Sequence, residues 1–96
     1  MNETCVKFNV SSANADESSL KKKIYEAANL LQVPNINEES SQHLMLKFSG
    51  QTLSGKSLVL ITLKLSQSCE AELSINCEKM VVGSMLAKEI KQHLQD

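Results

Sequence analysis

A chain of 96 residues with a formal net charge of −1 supports one domain with a modest core and offers no general attraction to nucleic acid, which is held by clustered Lys and Arg. No window supplies the ~18 apolar residues of a membrane span, and the start Met1-Asn2-Glu3-Thr4 lacks the apolar core of a secretory signal, so a soluble, non-secreted domain without a transmembrane segment is expected. Cys5, Cys69 and Cys77 are odd in number and lack C-x-x-C spacing, which excludes a disulfide framework or a zinc site.

In chain order, Val6, Phe8 and Val10 alternate with polar residues and predict a first strand. From Leu20 the apolar spacing becomes helical, with Leu20, Ile24, Ala27, Ala28 and Leu31 on one stripe. Asp16, Ser18 and Ser19 are candidate caps, and Pro34 ends this helix by Gln32 or Val33. The polar residues 35–42 are expected to form a loop. Leu44, Leu46 and Phe48, then Val59, Ile61, Leu63 and Leu65, then Ala71, Leu73, Ile75 and Cys77 alternate with period two. Short connections make these three strands an antiparallel meander. Met80, Val81 and Val82 suggest a brief edge strand, broken by Gly83, with Ser84 capping a helix that carries Leu86, Ala87, Ile90 and Leu94.

The expected fold is α+β in two layers: an antiparallel sheet of four to five strands, in the order β-α-β-β-β-(β)-α, with both helices on one face. Leu20, Ile24, Leu31, Leu44, Leu46, Phe48, Val59, Ile61, Leu63, Leu73, Ile75, Leu86 and Ile90 form the predicted core. Met45, Leu58 and Leu60 fall on the uncovered sheet face, near Lys47, Lys64, Glu70 and Glu72. Apolar residues on such a face suit a contact with another domain or protein.

Gly50-Gln51-Thr52-Leu53-Ser54-Gly55-Lys56-Ser57 fits the phosphate-binding pattern G-x-x-x-x-G-K-[ST]. That loop needs a following helix, whose positive end faces the phosphates. The alternating, β-branched run from Leu58 to Leu65 predicts a strand instead, so these residues read as a hairpin connection. A small nucleotide-binding protein using this loop is the alternative from another class, and a structural dimerisation domain is a third.

His43 and His93 have no ligand spacing, and no Ser-His-acid arrangement or G-x-S-x-G is present; no metal, cofactor or catalytic residue is expected. Phe8, Tyr25 and Phe48 are the only aromatic residues, too few for a base-stacking platform. Tyr25 suits the edge of the core or, in the second place, a peptide contact beside Lys21, Lys22 and Lys23. Met80 and Met85 are expected to fill packing gaps.

Three stretches carry a family resemblance: Met1-Asn2-Glu3-Thr4, Ser57-Leu58-Val59-Leu60-Ile61-Thr62-Leu63-Lys64-Leu65, and Ala71-Glu72-Leu73-Ser74-Ile75-Asn76-Cys77-Glu78-Lys79-Met80-Val81-Val82-Gly83-Ser84-Met85-Leu86. They resemble the extreme C-terminus of the beta subunit of adaptor-protein complex 3. The resemblance implies an appendage, or ear, in which a β-sandwich precedes a platform of antiparallel sheet and two helices. Residues 1–96 would be that platform, a single domain at the end of a much larger subunit and without activity of its own. The implied partners are the other subunits of the complex, accessory trafficking proteins or their peptide motifs, and the preceding sandwich. The implied setting is cytoplasmic, peripheral on Golgi, endosomal and vesicle membranes, in sorting from the trans-Golgi network or endosomes to lysosomes and related organelles. Related platforms bind peptides through a Trp and a Tyr; this chain has no Trp and only Tyr25. With the resemblance, Met45, Leu58 and Leu60 become the expected docking surface for the sandwich, and Tyr25, Lys21, Lys22 and Lys23 the expected accessory-protein site.

Overall fold

The period-two segments build a single antiparallel sheet in the computed structural model, which describes residues 2–42, 44–53 and 56–96. Its strands are β1 (Asn2–Asn9), β2 (Asn37–Gln42), β3 (Met45–Gln51), β4 (Leu58–Leu65) and β5 (Glu70–Cys77), in spatial order β1-β5-β4-β3-β2. The register sets Phe48 opposite Ile61, Ile61 opposite Ile75, and Leu63 opposite Leu73. Their side chains therefore share one face, and all are buried. Helices α1 (Glu17–Leu30) and α2 (Met80–Gln95) cover that face. Leu20, Ile24, Ala27 and Ala28 of α1, with Leu86, Ala87, Ile90 and Leu94 of α2, close the core from above. Each large aliphatic side chain so buried contributes about 1.5–3 kcal/mol.

Five strands and two helices on one face agree with the predicted class, but the fifth strand is elsewhere in the chain. Residues 35–42, expected as a loop, contain β2, which pairs with β3. The sequence Asn-Glu-Glu-Ser-Ser-Gln has no apolar alternation because an edge strand can be built on backbone pairing alone. Ile36, buried just before it, supplies the anchor. Residues 80–82, expected as an edge strand, are instead the first turn of α2, with Lys79 rather than Ser84 at the N-cap. The Gly83 N–H donates to the Lys79 carbonyl at 3.1 Å, closing that turn. A Val-Val pair has strand preference in isolation, yet Gly83 continues the helical stripe of Leu86, Ala87 and Ile90 one turn earlier.

A methyl group built on Gly83 would lie 3.5 Å from Thr4 Oγ1, 3.7 Å from Cys77 Cβ and 3.8 Å from Ile75 Cγ2, all ordinary contact distances. Gly83→Ala is therefore expected to raise stability by up to about 1 kcal/mol through helix propensity. A lowered melting temperature would show that α2 has no room above β1 and β5.

Helix α1 starts at Glu17, one turn before Leu20. Asp16 is its cap, as anticipated: the Ser19 N–H donates to Asp16 Oδ2 at 3.1 Å, and the hydrogen bonding to Ser19 lowers the carboxyl pKa from its ordinary value. The helix ends without glycine. Gln32 takes a left-handed φ of 61°, its N–H donating to the Asn29 carbonyl at 3.2 Å and that of Val33 to Ala28 at 2.9 Å. This is a Schellman closure, with buried Val33 as its apolar contact. Of the predicted core, Leu31 and Leu44 are only partly buried, packed against the cluster from its rim. His43 and Met1 lie outside the described residues.

Between β1 and α1, a single 3-10 turn (Ser12–Asn14) places the Asn14 side chain under the end of α2. Its Nδ2 lies 3.1 Å from the Leu94 carbonyl oxygen, 3.0 Å from that of Asp96 and 3.4 Å from that of His93. The Ser11 N–H also donates to the Leu94 carbonyl, at 3.0 Å. The start of α1 is thus fastened to the finish of α2, so the two helices run antiparallel.

Candidate functional site

The sheet face opposite the helices is uncovered, and the strand register gives its layout in rows. Gln51 stands opposite Leu58 in one row; Ser49, Leu60, Asn76 and Glu3 form the next; Lys47, Thr62, Ser74 and Cys5 the next; and Met45, Lys64, Glu72 and Lys7 the last. Leu58 and Leu60 are two residues apart on one face of β4, hence adjacent, and are 43% and 36% exposed. Met45 lies two rows from Leu60, beside Lys64, so the fold unites two of the three predicted docking residues and separates the third. A polar hollow of about 460 Å³ opens beside Leu58, lined in part by Asn37, Ser49, Gln51, Thr52 and Lys56.

On the other face, Tyr25 sits where α1 overhangs β3. Its ring meets Phe48 edge-on, with centroids 5.6 Å apart and planes at 79°, an arrangement the aromatic quadrupole favours. The residue is nonetheless 39% exposed, so Tyr25 both closes the core edge and shows a surface. Lys21, one turn before it, is held by Glu17 at 3.1 Å and by Glu38 of β2 at 3.0 Å. Hydrogen bonding to Glu38, then to Glu17, raises its pKa from the ordinary lysine value. Lys22, three residues before Tyr25, shares its side of the helix and is exposed, whereas Lys23 is half-buried on a different face. Of the basic run, Lys22 is the cation best placed for a partner.

The phosphate-loop pattern begins in the last two residues of β3, Gly50 and Gln51, and runs through the connection to β4. Strand β4 begins at Leu58, directly after Ser57, where a nucleotide site requires a helix. The Thr52 N–H donates to the Ser57 carbonyl, the Ser57 N–H to Thr52 Oγ1, and the Leu53 N–H to the Gln32 carbonyl, each at 3.0 Å. These amides close the hairpin and tie it to the end of α1. Ser54 and Gly55 of the pattern lie outside the described residues.

With this geometry in place, comparison with known families gives a match over residues 1–94 to the family described as AP-3 complex subunit beta-1, C-terminal domain. The chain belongs to this family. Among relatives, it is 37% identical to mouse AP-3 complex subunit beta-1 over 91 residues, 35% identical to mouse AP-3 complex subunit beta-2 over 94 residues, and 35% identical to human AP-3 complex subunit beta-1 over 91 residues. These alignments cover 95%, 98% and 95% of the chain respectively, but 8% of each relative. The domain is thus of the adaptor-subunit type and corresponds to a small part of the relatives' length.

Met80 and Met85, expected to fill packing gaps, are exposed, and Val81 between them is 70% exposed. Leu30 and Leu53 are exposed as well. Topology collects these residues at one end: Leu30 closes α1, Leu53 lies in the hairpin bonded to Gln32, and Met80 follows the end of β5, where Cys77 faces Val59. Leu58 opens β4 at the same end. The available signal was the first two turns of α2, where Met80, Val81 and Met85 fall outside the buried stripe once residues 80–82 are assigned to a helix. His93 is half-buried near the finish of α2, with Nδ1 2.9 Å from the Glu89 carbonyl oxygen. Among the described residues no group of three or more His, Cys, Asp and Glu is placed to hold a metal ion, and no helix is long and apolar enough to cross a membrane.

Proposed function

We propose that this domain is a non-enzymatic protein-interaction platform of a vesicle-coat adaptor subunit. In this reading it recruits accessory proteins during sorting from the trans-Golgi network or endosomes to lysosomes and related organelles, on the cytoplasmic side of those membranes. The observation that carries the reading is the family match over residues 1–94. Support comes from a sheet with one face closed by helices and one left open, bearing exposed Leu58 and Leu60.

Two surfaces divide the work in this reading. The open face, with Leu58, Leu60 and more distant Met45, docks against the β-sandwich that precedes the domain in the longer subunit; adjacent apolar side chains are commonly covered within such interdomain contacts. The α1 surface around Tyr25 and Lys22 receives accessory proteins, with Lys21 committed beside it to Glu17 and Glu38 and Lys23 on a different face. The exposed Tyr25 ring contributes area at low entropic cost, and Lys22 favours an acidic motif. Other subunits of the complex are engaged through the full-length chain.

Tyr25→Ala combined with Lys22→Glu is expected to remove vesicle-trafficking proteins that the unaltered domain retains from cytosol, while leaving the fold intact. Quantitative mass spectrometry of the retained proteins checks this, and unchanged retention would reject the α1 site.

A further inference from the structure

The two edges of the sheet are defended unequally. In β2 the register shifts between Glu38 and Ser40, Glu38 is paired with Lys21, and Glu39 accepts a hydrogen bond from the Ser49 hydroxyl. Irregular pairing and charged side chains are usual means of keeping an edge from joining another chain. Strand β1 also carries charges, Glu3 and Lys7, and Glu3 accepts a hydrogen bond from the Ser74 hydroxyl at 3.0 Å, but it has no irregularity: its register with β5 is continuous from Asn2 opposite Cys77 to Asn9 opposite Glu70. Just beyond it, the Val10 N–H donates to the Cys69 carbonyl at 2.8 Å, which sets the phase of the ladder. Asn2, Thr4, Val6 and Phe8 turn their backbone groups toward β5. Glu3, Cys5, Lys7 and Asn9 turn theirs to the open edge.

The charges along that edge are self-complementary. Glu3 and Lys7 lie two residues to either side of Cys5, and all three are exposed on the outer face. If two copies of β1 run antiparallel with Cys5 opposite Cys5, Glu3 of each copy stands opposite Lys7 of the other, and Thr4 opposite Val6. The existing row Lys64, Glu72, Lys7 alternates in sign, and Glu3 of the second copy continues the alternation. In-register parallel pairing would set like charges together, which is unfavourable.

We infer that β1 is a self-association edge, through which two copies of this domain join antiparallel about Cys5 into one continuous sheet. The two-fold axis keeps both helical layers on the same side. This pairing uses only the β1 margin of the open face, three strands away from Met45 and two from Leu58 and Leu60, and not the Tyr25 surface, so it stands independently of the adaptor reading.

Sedimentation equilibrium of the 96-residue chain tests it. The mass is expected to rise with concentration from 10.6 kDa toward twice that value. Lys7→Glu, or Glu3→Lys alone, should weaken association by about tenfold or more, because two cross-copy pairs become repulsive. Glu3→Lys with Lys7→Glu in one chain should restore association, because the pairs re-form with exchanged signs; this recovery also separates a pairing defect from a folding defect. A monomer at every concentration, or a dimer indifferent to Lys7→Glu, would overturn the inference while leaving capture of trafficking proteins by the domain unaffected.

Discussion

Asn14→Asp is expected to cost more stability than Asn14→Leu, and the difference should widen as pH rises. Asn14 is only 5% exposed, and its amide donates toward the last carbonyls of α2, those of His93, Leu94 and Asp96. Leucine removes the donor and leaves buried acceptors without it, a loss of about 1–3 kcal/mol. Aspartate adds a charge to that loss. Its carboxylate would face carbonyl oxygens at the negative end of the helix dipole, partly shielded from water. Folding would therefore raise its pKa above the unfolded value of about 3.9. The folded state then binds more protons than the unfolded one, so stability is fully present below the unfolded pKa and is lost as pH rises through the folded pKa. Urea midpoints of both variants at acidic and neutral pH measure this directly. Equal midpoints at both pH values would mean that Asn14 is packing material rather than the cap that fastens α2 to the start of α1.

Gly50→Ala is expected to destabilise by about 1–3 kcal/mol, the usual range for an overpacked site. Gly50 pairs with Val59, and a Cβ on it would fall 2.7 Å from Ile36 Cγ2 and 3.1 Å from Ile36 Cα. The first atom belongs to a branched side chain and the second to backbone, so neither yields easily. At roughly 4–8 °C per kcal/mol for a domain of this size, the melting temperature should fall by several degrees. Because the clash has one source, Gly50→Ala and Ile36→Ala together should cost less than the sum of their separate effects. Strict additivity would place the strain elsewhere. The first glycine of the phosphate-loop pattern is thus explained by the seating of Ile36, ahead of β2, against the inner face of β3.

These sites show what was legible in the sequence. The period-two runs of β3, β4 and β5 and the stripes of the two helices encode burial directly, so the layers and the large side chains at the centre of the core, such as Phe48, Ile61, Leu73, Ile24 and Ile90, could be anticipated from residue order, whereas Val33 and Ile36 lie outside those patterns. Strand β2 could not, because its stability is drawn from backbone pairing, the Lys21–Glu38 ion pair and the Ser49–Glu39 hydrogen bond, none of which leaves an apolar pattern. The beginning of α2 was hidden by the local strand preference of Val81 and Val82, which tertiary packing of Gly83 against Thr4 and Ile75 overrides. Asn14 gave no signal at all, since it acts across almost the whole length of the chain. Of the candidate surfaces, the outward side of Leu58 and Leu60 followed from parity alone. The distance of Met45 from them, and the diversion of Lys21 into an ion pair with β2, depend on strand order and could be seen only in three dimensions.

A recruiting platform within an adaptor subunit is put to the test by affinity capture from cytosol with two baits: this domain alone, and the same domain joined to the β-sandwich proposed to precede it. Vesicle-trafficking proteins are expected to be enriched on at least one bait and to be lost from it when Tyr25 is replaced by Ala and Lys22 by Glu. Enrichment of no such protein on either bait would contradict a recruiting role.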